Sequence, residues 1–191
     1  MKIGLFFGSF NPVHLGHMVL ANYMLEYTDL DKVWFIVSPH NPHKEKKSLL
    51  AEHHRLQLVN IAIGDNTHLK ASDIEFKLPQ PSYTITTLTY LKEKYPNDTF
   101  VLMMGADNLS NFHKWKNYEE IIKNHELYVY PRVKSERCDL QNHPQVKLVA
   151  APIIEISSTN IRNAIKDKKD VRYFIPSGVW EYIKEMHFYE K

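Results

Sequence analysis

Short solid runs of apolar residues alternate along this chain with longer segments of helical period. Residues 3–7 form a run that stops at Gly8, the pattern of a strand buried on both faces. Residues 15–27 then place Leu15, Met18, Val19, Ala21, Tyr23, Met24 and Leu25 at helical spacing. Residues 32–37 read as a second strand, closed by Ser38-Pro39, and a polar, basic loop follows over 40–47. Residues 51–63 are helical in period, with Gly64 suited to end the helix. An extended segment over 70–76 carries only a weak pattern. Pro79-Gln80-Pro81 reads as a turn or an extended loop, and 83–94 reads as a helix in spite of its threonines.

The second half repeats the alternation. Residues 100–104 form a strand ending at Gly105, and 109–115 and 118–123 read as two short helices. Residues 126–130 form a strand ended by Pro131. A polar stretch over 132–145 has loop composition and holds Cys138; then 146–150 is a strand ended by Pro152. Residues 159–166 and 178–186 are helices. Strands alternating with helices predict an α/β fold: a Rossmann-like doubly wound parallel sheet with helices on both faces. The expected organisation is one domain, with a core over 1–155 and a small C-terminal helical part over 156–191.

Composition narrows this reading without redirecting it. The 191 residues suit one domain. At 43% hydrophobic and 24% charged they exclude wholesale disorder and fibrous folds. A formal charge of +2 gives no basis for a nucleic-acid or anionic-membrane surface. Cys138 is the single cysteine, which excludes an internal disulfide and a multi-cysteine zinc site and favours a reducing compartment. With no long apolar window and no secretory pattern, the expectation is a soluble cytoplasmic protein. Oligomeric state is left open.

The chemistry concentrates first at Gly8-Ser9-Phe10-Asn11-Pro12-Val13-His14-Leu15-Gly16-His17, between the first strand and the first helix. Gly8 allows a sharp turn, after which backbone N–H groups of Ser9 and Phe10 face a ligand. His14 and His17 share one face of the first helical turn. There unpaired N–H donors and the helix dipole favour an anion, phosphate above all. Two surface histidines, or part of a metal site, are the competing readings. A second cluster is Ile156-Ser157-Ser158-Thr159-Asn160-Ile161-Arg162. Its hydroxyls cap a helix, and Arg162 lies one turn further in with a planar fork suited to phosphate oxygens. A plain capped helix with a surface arginine is the alternative. Gly8, Ser38, Gly105, Pro131 and Pro152 all end predicted strands, so these motifs fall on one edge of the sheet, where open α/β folds bind ligands.

The first segment resembles the HxGH signature of the nucleotidylyltransferase superfamily, and the second its ISSTxIR pattern. Asn41-Pro42-His43-Lys44, Pro81-Ser82-Tyr83-Thr84, Gly105-Ala106-Asp107 with Leu109 and Trp115, and the end of the chain over 172–190 are similar to bacterial nicotinate-nucleotide adenylyltransferases. Asn11 stands where that family often has Asp, and Ser9 where Thr is common.

The resemblance implies transfer of AMP from ATP to nicotinate mononucleotide, giving nicotinate adenine dinucleotide and pyrophosphate, with Mg²⁺ accompanying ATP. It implies that His14, His17 and Arg162 act on the phosphates. Gly8, Ser9, Phe10, Ser158 and Thr159 would line the ATP site, with Gly105 and Asp107 at the ribose. Trp115 would stack on the pyridine ring, Thr84 and Lys116 would offer backbone N–H groups to the nicotinate carboxylate, and Lys44 would approach the substrate phosphate. Arg132 is a weaker phosphate candidate. Asp107 also suits a helix cap, Trp115 a core position, and Lys44 a solvated charge. The competing functions are another enzyme of the superfamily, such as a phosphopantetheine adenylyltransferase, and a non-catalytic nucleotide-binding regulator.

Overall fold

The computed structural model describes residues 1–39, 49–133 and 135–191. Six strands build one sheet: β1 (Lys2–Gly8), β2 (Lys32–Val37), β3 (Leu69–Ser72), β4 (Thr99–Gly105), β5 (Leu127–Tyr130) and β6 (Val146–Leu148). Seven α-helices accompany them among the described residues: α1 (Leu15–Tyr27), α2 (Glu52–Ile63), α3 (Thr84–Lys94), α4 (Ala106–Ser110), α5 (Tyr118–Asn124), α6 (Ser158–Lys166) and α7 (Ser177–Glu185). The strand order is β3-β2-β1-β4-β5-β6, and every pairing is parallel. That is the doubly wound order, and its direction reverses between β1 and β4.

Alternation within the strands divides the core in two. Phe6, Phe35, Val101, Met103 and Tyr128 face one side, against Leu20, Met24, Leu58, Ile161 and Ile183 of α1, α2, α6 and α7. Leu5, Trp34, Ile36, Leu102 and Val129 face the other, against Leu88, Leu109 and Ile121 of α3, α4 and α5. Register places Leu5 beside both Trp34 and Leu102, so three strands contribute neighbouring side chains to one layer.

Three expectations change in detail. The weak segment at 70–76 is a strand only to Ser72; Ile74–Lys77 is a 3₁₀ turn. The helix expected over 109–115 begins instead at Ala106, directly after β4, and yields to a 3₁₀ turn at Phe112–Lys114. The last strand stops at Leu148. Helix ends follow local chemistry. Gly64 takes φ +60 after α2, and Ser157 caps α6 by accepting from the Asn160 N–H at 3.1 Å.

The amino-terminal rim of the sheet is tied by charge. Lys2 Nζ lies 2.8 Å from Asp29 and 2.7 Å from Glu126, and Lys147 Nζ 3.4 Å from Asp29. The buried Tyr128 donates its phenolic hydrogen to Asp29. Hydrogen bonds from Lys2 and Tyr128 hold the Asp29 carboxyl well below the usual carboxylate range. Among the described residues no helix is long and apolar enough to cross a membrane.

Candidate active site

The loop leaving β1 is shaped by Phe10 rather than by Gly8. Gly8 remains in the strand, and the left-handed residue is Phe10, at φ +44. The Phe10 ring folds back under Gly8, where a Cβ would come within 2.8 Å of a ring carbon. It is 2% exposed and packs edge-on against Phe6, Phe35 and His17. Gly8 therefore makes room for a ring instead of supplying the turn, and Phe10 can meet a ligand only through its backbone.

The chain then passes through a cis Asn11-Pro12 bond to His14, the residue that precedes α1. The His14 and His17 rings stack, with centroids 3.7 Å apart. The His14 backbone N–H donates to His17 Nδ1 at 3.2 Å, which assigns the proton of the neutral His17 ring to Nε2. Gly16 permits the stack: a Cβ there would stand 3.1 Å from the His14 ring. Burial, with the Arg132 charge nearby, pushes the His14 imidazole down to about 4. Its Nδ1 is buried without a hydrogen-bond partner among the described residues.

Helix α6 brings the second cluster to this loop. Ser158 Oγ donates to the Pro12 carbonyl at 2.9 Å, and Arg162 Nη1 to the Asn11 carbonyl at 2.8 Å. Arg162 Nη2 also donates to Thr159 Oγ1, at 3.3 Å. Together the two segments line a cleft of about 560 Å³ that includes Ser9, His14, His17, Arg132, Ser158, Thr159 and Arg162. The described lining offers imidazole, guanidinium and hydroxyl groups and no carboxylate. That chemistry suits polyphosphate.

Beside the cleft, Arg132 crosses the Tyr130 ring and comes within 3.9 Å of Asp107. Asp107 lies inside the first turn of α4, while Gly105 occupies the capping position. A Cβ on Gly105 would meet the Asp107 carboxylate and crowd Arg132, so those two side chains would have to shift to admit one.

The residues expected at the mononucleotide group elsewhere, on the α3–α5 side. Trp115 is half-buried, 5.2 Å from the fully buried Phe112. Lys116 Nζ lies 4.2 Å above the Tyr83 ring. Tyr83 precedes Thr84, the first residue of α3, whose backbone N–H therefore has no acceptor within the helix. Lys44 and its loop lie outside the described residues.

Two buried charged groups escape the sequence reading. Arg55 of α2 is fully buried, and its guanidinium donates to the carbonyls of Ser9, Ser38, Pro39 and Leu50 at 2.7–2.9 Å. It thus pins the segments following β1 and β2 to one point. Glu75 is 3% exposed and accepts from Thr87 Oγ1 at 2.8 Å. Burial raises its pKa, and the Thr87, Ser38 and Ser82 hydroxyls partly offset this. Glu75 thereby anchors the start of α3 to the end of β2. The partners of Arg55 and Glu75 come from distant loops, so no local pattern in the sequence marks either residue as buried.

A cationic, hydroxyl-rich cleft at the reversal point of a doubly wound sheet defines an α/β protein built to hold nucleotide phosphates. The chain belongs to the cytidylyltransferase-like family, which it matches over residues 5–164, and within that family to the nicotinate-nucleotide adenylyltransferases. It is 55% identical to a probable nicotinate-nucleotide adenylyltransferase of Flavobacterium johnsoniae, covering 100% of both chains. To the protein of that name in Bacteroides thetaiotaomicron it is 48% identical, covering 97% of this chain and 92% of the other. The fold also matches Plasmodium falciparum nicotinic acid mononucleotide adenylyltransferase complexed with NaAD. That match has a TM-score of 0.80 and covers 99% and 97% of the two chains at 19% identity.

Proposed function

We infer that this chain transfers the adenylyl group of ATP to nicotinate mononucleotide, releasing pyrophosphate and nicotinate adenine dinucleotide. The observation that carries this reading is the Arg162–Asn11 hydrogen bond, which puts a guanidinium in the same cleft as two imidazoles at a helix start. Full-length identity to relatives of that name supplies the acceptor.

In this reaction a 5′-phosphate oxygen of the mononucleotide attacks the α-phosphorus of ATP. The bond from that phosphorus to the bridging oxygen of pyrophosphate breaks, and the electron pair leaves with pyrophosphate. The nucleophile is already ionised at neutral pH, so no side chain need take a proton. The barrier comes from bringing two anions together in line and from charge gathering on the leaving group. In this reading His17 donates to the α-phosphate, with His14 beside it. Arg162, Ser158 and Thr159 hold the β- and γ-phosphates, and backbone groups of Gly8, Ser9 and Phe10 approach the nucleotide. Asp107 meets the ribose beside the bare Gly105. ATP would enter as its magnesium complex, the ion serving to offset the charge of the phosphates. Stacking on Trp115, and N–H groups of Thr84 and Lys116, recognise the nicotinate ring and its carboxylate, with Lys44 at the acceptor phosphate. A cytoplasmic setting, where ATP is at hand, suits the donor.

The test offers the purified protein Mg²⁺-ATP with nicotinate mononucleotide, nicotinamide mononucleotide or phosphopantetheine and follows pyrophosphate release. Preference for nicotinate mononucleotide is expected. Preference for phosphopantetheine, or no release with any acceptor, would overturn the reading.

A further inference from the structure

The C-terminal tail reaches the phosphate loop through one hydroxyl. After α7 the chain takes left-handed turns at His187 and Tyr189, with φ +52 and +68. Between them Phe188 packs edge-on against His54 of α2 and Tyr182 of α7. This turns Tyr189 inward, where its hydroxyl donates to Asn11 Oδ1 at 2.8 Å. The same oxygen accepts from the Leu50 N–H at 3.2 Å, and the Asn11 backbone carbonyl accepts from Arg162. Asn11 is itself 4% exposed. One residue of the phosphate loop therefore joins the C-terminal tail, the segment entering α2 and the phosphate-binding arginine.

We propose that Tyr189 is a positioning residue for ATP: by holding Asn11 it fixes the carbonyl against which Arg162 is aimed and the turn that carries Ser9. The inference rests on the reading of the cleft as the ATP phosphate site. It also gives position 11 a physical role that needs no negative charge, since a neutral amide oxygen accepts both hydrogen bonds. A carboxylate there would bring an anion beside the phosphates. Burial raises the Tyr189 pKa, which keeps the phenol protonated and able to donate across the working pH range.

The experiment measures Mg²⁺-ATP affinity by titration calorimetry on the full-length protein, Tyr189→Phe, Asn11→Ala and the double variant, with thermal melting alongside. The calorimetry requires no acceptor. Failure of the wild-type protein to release pyrophosphate with nicotinate mononucleotide would thus strike the proposed reaction alone. Tyr189→Phe is expected to weaken ATP about fivefold, the scale of one hydrogen bond in a network. The double variant should be no weaker than Asn11→Ala alone, because both changes cut the same link. A chain ending at Phe188 should match Tyr189→Phe in ATP affinity. ATP affinity within twofold of wild type in Tyr189→Phe, whatever its melting temperature, would overturn the proposal, as would additive effects in the double variant.

Discussion

Arg162 donates a 2.8 Å hydrogen bond to the backbone carbonyl of Asn11, across 151 residues of sequence. The bond fixes one arm of the guanidinium, and Thr159 takes another at 3.3 Å, so the fork is oriented before any nucleotide arrives. A donor held in place in advance loses little freedom when charge develops beside it.

Arg162→Lys keeps the charge and gives up the fork. Turnover is expected to fall about 10²-fold, the scale of one lost transition-state donor. The far-ultraviolet circular dichroism should be unchanged. Steady-state pyrophosphate release decides it; a loss below threefold contradicts the role.

His17→Ala removes the Nε2–H donor whose orientation the His14 backbone sets. The expected result is kcat lower by about 10²-fold with the KM for nicotinate mononucleotide held within twofold. Equal damage to both constants would mean the ring serves binding at large instead.

Trp115 rests on Phe112 and remains half-buried, which leaves ring surface for a ligand. Trp115→Ala should weaken nicotinate mononucleotide by about 1–3 kcal/mol, as for an aromatic stacked on a base. ATP affinity should be retained. A melting point several degrees lower with normal mononucleotide affinity would make it a packing residue.

The His14 ring titrates in the folded protein near 4, below the 6.5 of an unperturbed imidazole. The unfolded chain therefore binds this proton more readily. Its contribution to stability is complete above pH 6.5 and disappears as pH falls through 4, about 3 kcal/mol over that window. Denaturant unfolding of wild type and His14→Asn between pH 7.5 and 4 checks the sign. The wild-type curve should fall more steeply with acid, and parallel curves would remove the buried neutral ring from the account.

The sheet was legible because its strands are buried on both faces, so residues 3–7 and 33–37 are unbroken apolar runs. Helix α1 was legible for a related reason: it carries its apolar residues at helical spacing between a histidine-marked start and a polar end. Helix α4 was misplaced because it follows β4 with no polar cap; Gly105 serves instead, and the pattern has no room to change period. In the candidate site, the two clusters that line the cleft showed themselves as local residue types at a strand end and a helix start. The turn was assigned to Gly8 because glycine is the residue that suits one. The structure puts the strain on Phe10, whose burial among Phe6, Phe35 and His17 holds it there. Arg55, Glu75 and Tyr189 were invisible for a different reason. Each acts on loop groups many residues away, and no spacing rule connects a side chain to such partners.

The ionic knot of Lys2, Asp29, Glu126, Tyr128 and Lys147 sits where the strands begin, on the rim opposite the cleft. Cohesion and chemistry are thereby assigned to opposite ends of the same strands. Selection can remodel the cleft end toward new acceptors while the far end keeps the strands of the open sheet in register, and salt that loosens the knot should leave the cleft end to be judged on its own terms.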